Sequence, residues 1–287
     1  MSSLAVIASI LTPGSAATAM RPFDATGTQA KAGLNCPAGL VGLGADRRMH
    51  YYSINNGRVQ RITKSSNRLS YRATAWGFYD SSTTKKKRVL RLNTVAKNGV
   101  PRLVTATFTS NRITLSSKNY RQRGFKPDQF ADGYTYYAYT IAGSKLLRWT
   151  LTRFANGSIR FAKRTTLGSG FGKVTSLQTS SVYKIKGASK EVLYATTADG
   201  GLLQIAVPLK NPTRAKVKTL ATTGYAGVSE MAWSICNKDD THHYLIAVDR
   251  AAGSATWTTI SQATTKPEAT LHGKVKRGKK WDLVAAF

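Results

Sequence analysis

Three observations predict an all-β fold built from repeated units. Apolar and polar residues alternate over short spans along the chain, and no stretch keeps a 3.6-residue period. The segment from Gly170 to Leu177 (GFGKVTSL) is echoed 54 residues later by Gly224 to Met231 (GYAGVSEM). Each copy then leads into a strand, a glycine turn and a second strand. Self-similarity at this period in a β sequence is typical of a propeller. We therefore predict a single β-propeller whose blades contain four antiparallel strands.

The glycine and asparagine turns set the number of blades. Five hairpins have turns near residues 57, 111, 143, 200 and 253, where Asn, Asp or Gly supplies the backbone that a tight turn needs. The intervals are 54, 32, 57 and 53 residues, and three of them fit a four-stranded blade. The short interval indicates either a degenerate blade or a hairpin that forms the outer half of a blade, with Arg88–Leu92 supplying missing strands. We predict five blades, with six as the alternative.

Most hairpins are followed by a further turn and strand. The segments with this pattern are Leu69–Ala73, Ser158–Ala162 and Ala215–Leu220. A Gly-aromatic linker then leads to the strand that opens the next unit, as in Met231–Ser234. No Pro/Ser-rich linker divides the chain, so we predict one domain from residue 34 to 287, preceded by a flexible leader at residues 20–33.

The first nineteen residues resemble an export signal. Leu4–Leu11 is an apolar run too short to span a bilayer, and Ala17–Ala19 offers a small-x-small cleavage pattern. No Lys or Arg precedes Arg21, so the basic region of a signal peptide is missing. We predict a signal peptide at residues 1–19 and a secreted protein; the alternative is a disordered apolar terminus.

The chain contains two cysteines, Cys36 and Cys236. An even pair in an exported chain indicates a disulfide. A propeller gives this bond a geometric reason, because its first and last blades are neighbours. Two free buried thiols are the alternative.

The hairpins of the second half resemble those of the tachylectin-like β-propellers, a family of small secreted lectins. The resemblance rests on the aromatic-apolar strand, the Asp/Gly turn and the Leu-led strand in Leu193–Leu203, and on the similar pattern in Tyr137–Arg148. It implies a propeller fold and the binding of amino sugars.

A large positive charge is the main compositional signal for a partner. The chain has 43 Lys and Arg against 13 Asp and Glu, a net charge of +30. Such a surface attracts nucleic acid, acidic polysaccharide, teichoic acid or anionic membrane surfaces. No nucleic-acid-binding motif is present, so any contact with nucleic acid is predicted to be non-specific. Two basic runs are candidate polyanion-binding sites: Lys85, Lys86, Lys87 and Arg88, and Lys274, Lys276, Arg277, Lys279 and Lys280.

Aromatic residues in or near the linkers are candidate ligand contacts. Sugars stack on such rings, which makes Trp76, Phe171, Tyr225 and Trp233 candidates, together with Glu230 beside the second linker. The alternatives are rings that pack between blades and a glutamate that is merely exposed on a strand.

No motif indicates catalysis, a metal or a cofactor. Cys236–His243 contains metal-ligand residue types, but neighbouring residues on a strand point to opposite faces. The glycine-rich stretch Leu167–Lys173 lacks the Ser or Thr and the helix of a phosphate loop. Serine-hydrolase and metalloprotease motifs are absent from the sequence. We assign no catalytic residue, no metal and no cofactor.

These features predict a secreted, monomeric, non-catalytic protein without a membrane span, which binds cell-surface or extracellular glycans through its propeller loops. An electrostatic binder of polyanions is the first alternative. A propeller-fold hydrolase or lyase is the second.

Overall fold

The computed structural model describes residues 36–286 apart from 85, 111, 121–124, 134–135, 154–158, 237–238, 277–280 and 282. The predicted signal peptide and leader lie outside these residues. The described chain forms twenty strands, arranged as five four-stranded antiparallel sheets. The five-bladed propeller predicted from the sequence is confirmed.

Each blade is given from its innermost to its outermost strand. Blade 1 consists of β20 (Leu283–Ala286), β1 (Pro37–Gly44), β2 (Met49–Asn55) and β3 (Arg58–Lys64). Blade 2 consists of β4 (Ala73–Thr83), β5 (Arg88–Ala96), β6 (Pro101–Phe108) and β7 (Ile113–Asn119). Blade 3 consists of β8 (Gln129–Asp132), β9 (Tyr137–Ala142), β10 (Lys145–Arg153) and β11 (Ile159–Gly168). Blade 4 consists of β12 (Val174–Ile185), β13 (Ala188–Thr197), β14 (Leu202–Pro208) and β15 (Lys216–Ala221). Blade 5 consists of β16 (Val228–Cys236), β17 (Asp239–Asp249), β18 (Ser254–Ser261) and β19 (Glu268–Lys274).

The ring closes by pairing the two ends of the chain. The last strand, β20, pairs antiparallel with β1 and supplies the innermost strand of blade 1. A disulfide between Cys36 and Cys236 joins the residue before β1 to the end of the innermost strand of blade 5. The predicted disulfide is confirmed, and it links the first and last blades as the sequence argument required.

The irregular hairpin spacing has a simple cause. The turns near residues 57 and 111 join the third and fourth strands of their blades, whereas those near 143, 200 and 253 join the second and third. The hairpin near 111 is therefore the outer half of blade 2, and β5 supplies the second strand. The predicted strand at Leu69–Ala73 is wrong: β4 begins only at Ala73, and the buried Leu69 belongs to the connection between blades.

The core is divided among the interfaces between blades. Five clusters of buried apolar side chains form, and each draws on two neighbouring blades. Val41 and Leu43 of blade 1, for example, share a cluster with Leu90 and Leu92 of blade 2. The innermost strands contact one another around the ring. The described residues contain no helix that is long and apolar enough to cross a membrane.

Candidate functional site

All five connections between blades repeat one contact. In each, a large apolar residue donates its backbone N–H to a carbonyl in the turn between the second and third strands of the preceding blade. The pairs are Leu69 to Arg47 (2.9 Å), Phe125 to Gly99 (3.1 Å), Phe171 to Ser144 (2.9 Å), Tyr225 to Gly200 (3.0 Å) and Trp281 to Gly253 (3.0 Å). All five side chains are buried. These residues, which we call the linker plugs, close the gaps between blades at one end of the propeller.

Two predicted ligand-binding rings are linker plugs. Phe171 is 8% exposed and Tyr225 is 1% exposed. The hydroxyl groups of Tyr225 and Thr258 are joined by a hydrogen bond of 2.6 Å, and burial raises the pKa of the phenol. Neither ring therefore offers a free face to a ligand.

The other three predicted ligand residues lie on innermost strands. Trp76 is on β4, where only its backbone position is described. Trp233 on β16 is half-buried, and its ring contacts that of His243 at 5.2 Å. Glu230, also on β16, forms an ion pair with Arg250. Their roles in ligand binding stay predictions.

Polar side chains recur at two neighbouring blade interfaces. Between blades 3 and 4, Tyr139 donates to the fully buried carboxylate of Glu191 at 2.5 Å, and Arg148 lies beside this pair. Burial, followed by the charge of Glu191, raises the pKa of Tyr139. Arg148 also stacks over the ring of Tyr137 at 4.0 Å and donates to the carbonyl of Leu209. A carboxylate and a guanidinium are thus both held inside the propeller by polar or aromatic partners.

The next interface places histidine and glutamine at the positions that Glu191 and Arg148 occupy between blades 3 and 4. Tyr194 corresponds to Tyr139, and its hydroxyl is 2.6 Å from Nδ1 of the buried His243. Tyr183 contacts the other ring nitrogen at 2.7 Å. Gln204 replaces the arginine, because it pairs with Tyr194 across the sheet as Arg148 pairs with Tyr139. Both histidine nitrogens are therefore occupied by hydroxyl groups inside the protein, which indicates a structural role.

Most turns between second and third strands are stabilised by a hydrogen bond to an aspartate side chain. At every such turn one Asp or Asn side chain accepts a hydrogen bond; it comes from the turn or the end of the strand before it, except in blade 3, where Asp128 precedes β8. These bonds are Arg48 N–H to Asp46, Val100 N–H to Asn98, Gly143 N–H to Asp128, Thr197 hydroxyl to Asp199, and Ala252 N–H to Asp249. The bond from Thr197, followed by that from Lys173, lowers the pKa of Asp199. Asp46, Asp128, Asp199 and Asp249 therefore have a structural role at the turns.

The metal-ligand residue types in Cys236–His243 are separated by the fold. Cys236 is in the disulfide and His243 is held by two tyrosines, while residues 237 and 238 lie outside the described chain. Within the described ranges, no three His, Cys, Asp or Glu side chains come together as they would around a metal ion.

Basic residues gather on the outermost strands. The strands β3, β7, β11, β15 and β19 contain ten Lys or Arg residues, all exposed, and one acid, Glu268. We call these ten residues the basic belt: Arg58, Arg61, Lys64, Lys118, Arg160, Lys163, Arg164, Lys216, Lys218 and Lys274. The belt runs around the outer wall of the propeller and touches every blade.

The two basic runs predicted from the sequence are divided by the fold. Lys86 and Lys87 are exposed in the connection between β4 and β5, and Lys274 and Lys276 are exposed at and after the end of β19. Arg88 is 8% exposed, because strand alternation places it on the same buried face as Leu90 and Leu92. Burial lowers its pKa. Lys85, Arg277, Lys279 and Lys280 lie outside the described residues.

A ladder of three rings connects the core to the surface near the junction of blades 5 and 1. The buried Tyr244 contacts Trp257 with ring centroids 5.3 Å apart. Trp257 in turn stacks on the exposed His272 at 4.0 Å and an interplanar angle of 15°. Burial lowers the pKa of His272 below its ordinary value. Sequence reasoning missed this site, because the ring pairing appears only once β18 and β19 are placed side by side.

No protein-family model and no curated protein matches the chain. Solved structures similar to it include a fungal lectin from Aleuria aurantia with a six-bladed β-propeller fold, 13% identical, covering 85% of this chain and 79% of that one with a TM-score of 0.40. The periplasmic gluconolactonase PpgL of Pseudomonas aeruginosa is 13% identical, with coverages of 86% and 70% and a TM-score of 0.36. A family 43 xylosidase/arabinofuranosidase from a compost metagenome is 11% identical, with coverages of 83% and 90% and a TM-score of 0.42. These proteins include both a lectin and enzymes.

Proposed function

We propose that the chain is a secreted, monomeric, non-catalytic protein that binds anionic polymers through the basic belt. The observation that carries the proposal is the single sign of the belt, with ten exposed bases against one acid on the five outermost strands. A wall of one sign attracts a polymer of the opposite sign and gains free energy by releasing its counterions.

Edge protection alone does not account for this charge. Outermost strands expose unpaired backbone groups, and charged side chains there discourage pairing with other chains. Charges of either sign serve that purpose, and a mixture of Lys and Glu would do so without net charge. A strong excess of one sign adds repulsion between neighbouring strands, which a polyanion bound along the wall would relieve.

The disulfide supports an extracellular setting for this binding. Disulfides persist in oxidising compartments, and the Cys36–Cys236 bond closes the ring. Anionic polymers outside the cell include acidic polysaccharides and teichoic acids. The acids at the turns and the buried polar groups have structural partners, so we assign no residue to catalysis.

The test compares two variants that lose the same charge in different places. The belt variant carries Arg61→Gln, Arg160→Gln, Lys163→Gln, Lys216→Gln and Lys274→Gln. The loop variant carries Arg68→Gln, Lys97→Gln, Lys126→Gln, Lys186→Gln and Lys210→Gln, all exposed residues of connections between strands and outside both basic runs. Affinity for full-length heparin is measured by calorimetry over a range of salt concentrations, alongside the unmodified protein.

We expect the salt dependence of the belt variant to fall by about one unit of slope for each lost residue that touches the polymer. The loop variant is expected to retain most of the original slope, since its lost charges change only the overall field. Equal losses in both variants would show that net charge rather than the belt governs binding. Heparin affinity independent of salt in the unmodified protein would contradict the proposal as a whole.

A further inference from the structure

The outermost strand of blade 5, β19, contains one ring, that of His272, and this residue lies in a β-bulge. On β18, Trp257 pairs with Gly273 and Thr258 pairs with Leu271, which leaves His272 as an extra residue in β19. Gly273 has a φ of +96°, a conformation that glycine adopts without strain. This bulge turns the imidazole onto the face of Trp257, and a hydrogen bond of 2.7 Å with the hydroxyl of Thr259 fixes its orientation.

Blade 1 completes the surroundings of this ring. The indole of Trp257 lies directly against Gly57, where an added Cβ would collide with it. Gly57 also receives a hydrogen bond from Lys276 N–H at 2.6 Å, and Val59 N–H donates to the carbonyl of Lys276 at 3.2 Å. The backbone of Arg58 therefore runs beside that of Lys276, and both side chains are exposed. Lys274 adds a third exposed cation two residues beyond His272.

His272 is distinctive within the outer wall. Among the residues of the five outermost strands, the only other ring is Phe161, which is buried. His272 is exposed, and one of its faces is covered by Trp257. The wall thus combines cations on every blade with one exposed ring, which stacks on a second ring beneath it.

We propose that the junction of blades 5 and 1 is a subsite for an acidic polysaccharide, in which one sugar ring stacks on His272. Arg58, Lys274 and Lys276 would pair with the carboxylate or sulfate groups of the stacked sugar and its neighbours. This inference rests on the proposed function and adds the polymer class and the contact that recognises it. A stacked ring gives the polymer a preferred position on a belt whose charges alone would let it slide.

A sugar fits this site better than a nucleic acid does. Proteins that hold single-stranded nucleic acid stack successive bases on a series of rings. Here a single exposed ring lies beside three cations, with no series of rings along the described outermost strands, and the disulfide favours a compartment in which acidic polysaccharides occur. Nucleic acid is therefore the competing outcome in the experiment.

The experiment measures the binding of a heparin octasaccharide at pH 8 to the unmodified protein and to His272→Ala and His272→Phe. We expect His272→Ala to lower affinity about tenfold, within the range for a ring stacked on an aromatic side chain, with little change in salt slope. His272→Phe keeps a stacking face and should stay within about threefold of the unmodified protein. Arg58→Gln and Lys276→Gln should each lower the salt slope by about one unit.

The outcomes separate this inference from the general proposal. If the octasaccharide binds and His272→Ala matches the unmodified protein, the subsite is wrong while belt binding stands. If the unmodified protein binds full-length heparin but not the octasaccharide, the subsite is wrong. If it binds neither, both the subsite and the proposed belt binding are wrong. If an eight-nucleotide oligothymidine binds more tightly than the octasaccharide and depends more strongly on His272, the polysaccharide assignment is overturned.

Discussion

The innermost and outermost strands of this propeller differ sharply in charge. The five innermost strands contain three acids, Asp80, Asp132 and Glu230, and one base, Lys184. The five outermost strands contain ten bases and one acid. The two sets of strands are of similar total length, so the net charge of the chain is sorted from the centre towards the rim.

The same difference governs how charged groups are handled. Inside, a charge needs a partner, because leaving a buried ionised group unpaired costs several kcal/mol. Glu191 accordingly accepts a hydrogen bond from the hydroxyl of Tyr139, and Arg148 stacks on the ring of Tyr137. On the outer wall, water solvates each cation, so bases accumulate there at little cost to folding. Stability therefore depends on the interior of the ring, and the proposed binding depends on its rim.

Removing the disulfide should give the largest effect on the interior. The bond joins residues 200 apart in sequence, and in the chain-entropy model such a loop contributes up to about 5 kcal/mol. We expect Cys36→Ser with Cys236→Ser to lower the free energy of unfolding in urea by up to this amount. Unmodified protein in reductant should behave like the double variant. Heparin affinity below the unfolding transition should be unchanged, and a loss there would show that rim and closure are coupled.

Shortening a linker plug should cost slightly less. Tyr225→Ala removes a ring that is 1% exposed, and we expect a loss of about 3–5 kcal/mol in the free energy of unfolding. Tyr225→Phe is the matched control: it keeps the ring and loses only the bond with Thr258, at a cost of about 1 kcal/mol. Thermal and urea unfolding measure both. If Tyr225→Ala instead abolished polymer binding while leaving stability intact, the ring would be a ligand contact after all.

The linker plugs also show how far the sequence could predict this fold. The repeat at Gly170 and Gly224 was visible because two consecutive linkers share glycine, an aromatic residue and valine. Each of the other three plugs lacks part of this pattern: Phe125 keeps the glycine before it but not the valine, Trp281 keeps the valine but not the glycine, and Leu69 keeps neither. What recurs in all five is a backbone N–H bond, which almost any residue can make, so the repeat is regular in space while its sequence varies.

The basic belt was invisible for a different reason. Residues such as Arg61, Lys163 and Lys216 look scattered along the chain, because each lies on a different blade. What these residues share is that each lies on the outermost strand of its blade, and this is known only once the order of strands within the blades is known. The run at Lys85–Arg88 looked like one surface patch, yet alternation along β5 turned Arg88 inwards. Charge patterns could thus be interpreted only after strand order was known.

The comparison of rim and interior is tested most directly by two arginines, in the variants Arg148→Gln and Arg160→Gln. Each loses one positive charge, one from the interior and one from the belt. Arg148→Gln leaves the Glu191 carboxylate without its neighbouring cation, so we expect a loss of about 1–3 kcal/mol in the free energy of unfolding and unchanged heparin affinity.

Arg160→Gln should do the reverse, leaving stability within about 0.5 kcal/mol and lowering the salt slope of heparin binding by about one unit. Gln204 occupies the place of Arg148 in the next blade, which indicates that a glutamine side chain fits there, so the cost of Arg148→Gln should come from the lost polar contacts rather than from shape. Urea unfolding and calorimetry on both proteins measure the two effects. If both variants lost stability equally, or both lost affinity equally, the separation of a folding interior from a binding rim would not hold.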